Sequence, residues 1–180
     1  MLTNVMSFFS PKPEKAVAVA LYRVIVAQAR LPRLYSEHGV PDTLDGRFDM
    51  IILHAYLASR RLKAMNTEES QTLNQALFDL IFADMDSSLR EIGIGDLSVG
   101  KKVKVMAQAF YGRVEAYDAG LAADTDAVLA EALQRNLFGT VNPQPAQSLA
   151  VAAYVRRVDA TLAVLPDREI LAGNLEFPAP

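Results

Sequence analysis

The sequence predicts an all-α fold: a single-domain bundle of about six helices around a buried central helix near residues 44–64. Three observations carry this. Alanine and leucine dominate, while glycine and proline number only nine each among 180 residues, a mix that favours helices. Apolar residues recur at steps of three and four over long stretches, and no segment shows a convincing two-residue alternation. The stretch from Leu44 to Ala64 is apolar nearly all the way round, as an interior helix is.

The length fits one domain, 1–180, with a short N-terminal arm (1–12) and a C-terminal tail (166–180). Apolar residues make up 51% and charged residues 22%, so the chain can bury a real core. The first helix follows Ser10-Pro11-Lys12-Pro13 and runs from Glu14 to Arg30. Leu31-Pro32 through Gly39-Val40-Pro41 is a connector, interrupted by prolines and a glycine. Asp42-Thr43 caps the second helix, and Asp45 complements its N-terminal dipole. On it Leu44, Phe48, Ile51, Ala55 and Leu62 share one face, while Met50, Leu53 and Leu57 cover the opposite side.

Thr67 starts the third helix, which reaches Ile92 and stops at Gly93, a natural left-handed cap. Asp96 or Ser98 caps the fourth, which extends to about Leu121. Its Val99, Val103, Met106, Phe110, Val114, Tyr117 and Leu121 mark one buried face. Thr125 caps a fifth that ends before Gly139, and a sixth covers Ala146 to Leu165. The tail is punctuated by prolines, yet Ile170, Leu171, Leu175 and Phe177 predict that it packs back on the body.

Several function classes are disfavoured. With no cysteine, disulfides and thiolate metal sites are excluded. The start, MLTNVMSFFSPKPEK, lacks the basic n-region of a signal peptide. The best apolar run, AVAVALYRVIVAQA, is too short to span a bilayer and carries Arg23, so a cytoplasmic protein is expected. A net charge of −3 weighs against specific nucleic-acid binding. His38 and His54 have no metal-ligand spacing, no serine sits in a nucleophile elbow, and Gly93-Ile94-Gly95 is a turn between helices. No catalytic residue, metal, cofactor or small-molecule ligand is expected.

The polar residues on apolar helices need an explanation. Arg47, His54 and Arg61 are spaced by seven and form one stripe down the second helix. Asp79 and Asp86 share that spacing on the third, with Arg90 one turn beyond. If the stripes face each other, His54, Arg61, Asp79 and Asp86 form a structural polar layer, because a buried charge without a partner is strongly unfavourable. The alternative leaves the outer residues solvated. A catalytic reading, His54 with Asp49 or an acid of the third helix, requires His54 to line a cleft. Gly46 and Gly112 each precede an arginine inside a helix, where glycine costs about 1 kcal/mol relative to alanine. They are expected to mark a close crossing of the second and fourth helices. Lys101, Lys102 and Lys104 oppose the dipole of the fourth helix, which an acidic surface or anionic lipid head groups would favour; a solvated basic face is the alternative.

LPRLYSEHGVPDTLDGRFDMIILHAYLASRRL, followed by LFDLIFADMDSSLREIGIGDLSVGKKVKVMAQAFYGRVEAY, resembles the ubiquinol–cytochrome c chaperone family. The motifs are Val40-Pro41-Asp42-Thr43, Gly46-Arg47-Phe48-Asp49, Leu53-His54, Leu89-Arg90-Glu91, Gly95-Asp96 and Phe110-Tyr111-Gly112-Arg113, within about Leu21 to Leu121. Beyond residue 122 the likeness fades. The resemblance implies an all-α, non-enzymatic assembly factor for the respiratory cytochrome bc complex. Mitochondrial members act with a small partner protein on newly made cytochrome b, near the ribosome and inner membrane. Bacterial members lack the long targeting segment, so a bacterial version is expected here.

The implied partners are cytochrome b or another subunit of that complex, with the ribosome or the inner-membrane surface as further contacts. Tyr35, Asp42, Arg47, Arg90, Asp96, Lys101, Lys102, Tyr111 and Arg113 are the expected partner-binding residues. A helical carrier for a quinone or lipid is the competing reading, and it requires an open apolar pocket.

Overall fold

Prolines and glycines divide the helix-forming sequence in the computed structural model, which describes residues 13–139 and 141–180. Among these residues the chain forms α1 (Pro13–Ala29), α2 (Pro32–Ser36), α3 (Leu44–Met65), α4 (Glu68–Glu91), α5 (Asp96–Ala122), α6 (Asp126–Asn136), α7 (Pro145–Val164) and α8 (Asp167–Leu171). The six expected long helices are all present. The expected arm at 1–12 lies outside the described residues.

Two short helices add to the expected six. Pro32 sits in the first turn of α2, where its missing N–H is harmless and its fixed φ suits a helix. The same connector then turns at Gly39, whose φ is 71°. Helix α8 occupies the first part of the tail.

The caps follow local chemistry. Thr43 accepts a hydrogen bond from the Gly46 N–H at 3.1 Å, and Thr67 and Ser70 form a reciprocal capping box. Gly93 closes α4 with φ 88°. Two expectations change. The N-cap of α5 is Gly95, not Asp96 or Ser98, because the Ser98 and Val99 N–H groups already reach the Gly95 carbonyl. Thr125 stands at the N-cap of α6 but makes no side-chain cap bond.

Helix α3 is the centre, as its all-round hydrophobicity predicts. Every residue from Met50 to Ser59 is buried. Helices α1, α4 and α7 pack around it. Tyr22 of α1 donates to Asp84 of α4 at 2.7 Å, and Tyr56 of α3 donates to Asp118 of α5 at 2.7 Å. The expected face of α5 is buried at Val99, Phe110 and Tyr117 and half-buried at Val103, Met106, Val114 and Leu121. Leu44 departs from expectation at 66% exposure. The connector packs at Gly46, about 200° round the helix from Leu44, and leaves Leu44 uncovered.

Gly46 and Gly112 do not mark a helix crossing. A Cβ on Gly46 would lie 2.1 Å from the Pro41 carbonyl oxygen, so it makes room for its own connector. Gly112 is exposed, with no atom within 4 Å of such a Cβ. The close approach on α5 is at Gly120, where a Cβ would come within 2.7 Å of the Leu129 Cα on α6. The tail packs back as expected: Ile170 and Leu175 are buried, and Leu171 and Phe177 pack against the core.

Candidate functional site

His54 is fully buried, and both ring nitrogens are occupied. Nδ1 lies 2.8 Å from the Met50 carbonyl, which can only accept, so Nδ1 carries the proton. Nε2 accepts from the Tyr154 hydroxyl of α7 at 2.7 Å. That hydroxyl in turn accepts from Gln28 Nε2 of α1 at 2.9 Å. The same Gln28 amide donates to the Pro178 carbonyl at 2.8 Å, and Phe177 packs edge-on against the imidazole at 5.3 Å between centroids. Burial holds the His54 pKa down at about 4 and pushes the Tyr154 hydroxyl up to about 12. His54 is therefore a neutral joint among α1, α3, α7 and the tail, sealed from solvent.

The expected facing of two charged stripes is not there. Arg47 is exposed and pairs with Asp42 at 2.5 Å, within its own connector. Arg61 points to the end of α7, donating to the Leu162 and Leu165 carbonyls at 2.8 and 2.9 Å and pairing with Asp167. It satisfies the orphan carbonyls of that helix end. Asp79 is exposed and accepts from Gln75 at 2.8 Å. Asp86 pairs along its own helix with Arg90, which also meets Asp96. The polar residues of α3 answer α7 because α7 runs beside α3 in the same direction, matching position 54 with 154 and 60 with 159.

That pairing includes residues the spacing argument missed. Arg60 bonds Asp118 of α5 at 2.5 Å and Asp159 of α7 at 3.0 Å, and Tyr56 shares Asp118. These groups line a surface hollow of about 650 Å³. Arg156 caps the end of α5, reaching the Gly120, Leu121 and Ala123 carbonyls within 3.0 Å. Carboxylates beside buried apolar residues, as in Tyr117-Asp118 and Val158-Asp159, were the signal available in the sequence.

Two motifs from distant parts of the chain meet at one place. Asp49, from Gly46-Arg47-Phe48-Asp49, pairs with Arg113, from Phe110-Tyr111-Gly112-Arg113, at 2.8 Å. Burial pushes the Asp49 carboxyl up to about 6, against the pull of Arg113 and with help from Asp45. The pair lies in a groove of about 340 Å³ between α3, α5 and the end of α6. Phe48, Val105, Met106, Ala109 and Leu137 give the groove apolar walls, and Arg135 is also among its lining residues.

The other expected partner-binding residues fall in two places. Tyr35, Asp42 and Arg47 line a shallow cleft of about 450 Å³ at the connector, where the Tyr35 hydroxyl donates to the Ala29 carbonyl at 2.6 Å. Lys101, Lys102 and Tyr111 lie on the exposed side of α5, and Tyr111 stacks on Phe78 of α4. Arg90 and Asp96 bind each other across the turn between α4 and α5.

The sequence profile of the family described as Ubiquinol-cytochrome C chaperone matches residues 36–177. The chain belongs to this family. The match runs past Leu121, where the quoted motifs end, through α6, α7 and the tail to Phe177, correcting the expectation that the likeness fades beyond residue 122. The chain is 30% identical over 150 residues to Protein CBP3, mitochondrial, of Saccharomyces cerevisiae, covering 81% of this chain and 44% of that protein. It is 24% identical over 157 residues to ubiquinol-cytochrome-c reductase complex assembly factor 1 of Xenopus laevis, covering 87% and 78%. It thus spans less than half of the yeast relative and most of the frog one. The crystal structure of the Cbp3 homolog from Brucella abortus matches with a TM-score of 0.83 and 38% identity, over 92% of this chain and 91% of that one. Within the family frame, the Asp49–Arg113 groove and the buried His54 joint are distinct features, one at the surface and one sealed inside.

Proposed function

We propose that this chain is an assembly factor for the respiratory ubiquinol–cytochrome c reductase, working as a chaperone that holds newly made cytochrome b. Membership of the family supports the role in assembly, and the name of the frog relative agrees with it. One observation supports a docking site: the motifs around Asp49 and Arg113 converge on a single open groove with apolar walls. An amphipathic or apolar helix of an incomplete membrane protein can lay its apolar face there. The Tyr35–Asp42–Arg47 cleft would extend the contact, with Arg90 and Asp96 at its margin.

The reading is non-enzymatic. A general base must reach its substrate, and His54 is sealed with both nitrogens bonded. The protein would act at the cytoplasmic side of the inner membrane, where its client is inserted, with the ribosome as a further contact. The carrier reading requires an apolar chamber. The hollow of about 710 Å³ between α1 and α4 is instead an open groove with Glu14, Lys15 and Asp79 among its lining residues.

The test is capture of the client. Tagged protein isolated from growing cells should bring down cytochrome b, and V105D, a charge placed in the groove wall, should lose it while remaining folded. Capture of cytochrome b undiminished in V105D would remove the groove from the account. No cytochrome b with the wild type would remove the client.

A further inference from the structure

The exposed side of α5 carries a charge pattern that the bundle does not use. From Leu97 to Val114 the chain contains Lys101, Lys102, Lys104 and Arg113 and no aspartate or glutamate, although the protein as a whole has a net charge of −3. Arg113 is committed to Asp49. Among the described residues, none of the three lysines pairs with a carboxylate, and all three are exposed. Lys101, Lys104, Gln108 and Tyr111 follow one another at steps of three, four and three, so they form a single stripe. The stripe points away from the Asp49–Arg113 groove, with Val105 between them at 55% exposure.

We infer that this stripe seats the protein on an anionic lipid bilayer. Three features favour lipid over an acidic protein surface. The cations are lysines, whose long apolar stems and compact charges suit a head-group layer better than a fixed bidentate contact. Tyr111, 63% exposed and braced against Phe78, is the amphipathic ring typical of a membrane–water boundary. The positive end of the α5 dipole adds to the lysines rather than opposing them once the counter-charge is a negative membrane. The nearest acid along the stripe is Glu115, one turn beyond Tyr111, which confines the contact to the first half of the helix.

The inference takes from the proposed function only that the client is a membrane protein, and its test needs no client. Purified protein is floated with vesicles of phosphatidylcholine alone and of phosphatidylcholine mixed with phosphatidylglycerol. Wild type should bind only the mixed vesicles and should be released by salt. Each lysine near an anionic surface is worth about fivefold in binding, so K101Q/K104Q should bind on the order of twentyfold more weakly. Y111S should weaken binding without changing its salt dependence. K63Q, near the C-terminal end of α3, should bind like wild type. Failure of wild type to float, equal binding to both vesicle types, or unchanged binding by K101Q/K104Q would each overturn the inference. An acidic protein as the true partner would appear as no flotation. Since neither lysine lines the groove, a flotation failure leaves cytochrome b capture untouched, and the converse also holds.

Discussion

Asp49 of α3 and Arg113 of α5 form an ion pair at 2.8 Å, with side chains 17% and 20% exposed. It ties the central helix to the helix carrying the basic face. Removing one partner strands the other with its side chain largely buried, so R113A should lower unfolding stability by about 3 kcal/mol. D49N/R113Q, which removes both charges, should recover most of that loss. Urea denaturation of the three proteins checks this. Equal stability of R113A and wild type would mean the pair is solvated.

His54 and Asp49 pull the pH dependence of stability in opposite directions. The His54 pKa falls from 6.5 to about 4 on folding. In that window the unfolded chain binds more protons, so stability is lost as pH drops, by up to about 3 kcal/mol. The Asp49 carboxyl rises from 3.8 to about 6, so its contribution to stability is lost as pH rises through the same window. Wild type should therefore change little between pH 4 and 6 on account of these groups. D49N, with the offset gone, should become clearly less stable toward acid. Denaturation midpoints across the window decide it, and a D49N profile as flat as wild type would refute the His54 assignment.

The two helical glycines should respond oppositely to alanine. G46A drives a Cβ toward the Pro41 carbonyl, a backbone atom that cannot step aside, and should destabilise by about 2 kcal/mol. G112A meets open space on an exposed helix and should stabilise by up to about 1 kcal/mol. Thermal melts of both variants test this. Destabilisation by G112A would restore a packing role for that position.

Arg47 separates docking from folding. Its pair with Asp42 is exposed, each side chain being just over half accessible, so R47A should leave unfolding stability close to that of wild type. If the connector cleft takes part in client contact, R47A should still reduce recovery of cytochrome b. Unchanged recovery would confine docking to the groove.

The long helices were legible because their signals are local. Steps of three and four place Val99, Phe110 and Tyr117 on the inside of α5 without any knowledge of its neighbours, and Thr43 and Thr67 announce the starts of α3 and α4. The partners of His54 and Arg61 were not legible. Their seven-residue spacing matches Asp79 and Asp86 as well as it matches anything, but the order of helices around α3 puts α7 there, and sequence spacing carries no information about that order. Gly46 shows the same limit: a close approach was correctly inferred, yet its neighbour is Pro41, five residues upstream. The Asp49–Arg113 groove became visible only when two motifs, each ambiguous alone, were brought to one place.

The most direct measurement is the level of the cytochrome bc complex in a strain lacking this gene, set against the terminal oxidase in the same membranes. The account predicts a selective loss of the bc complex, restored by the wild-type gene but not by V105D, with the oxidase unchanged. A normal bc complex in the deletion strain would contradict it.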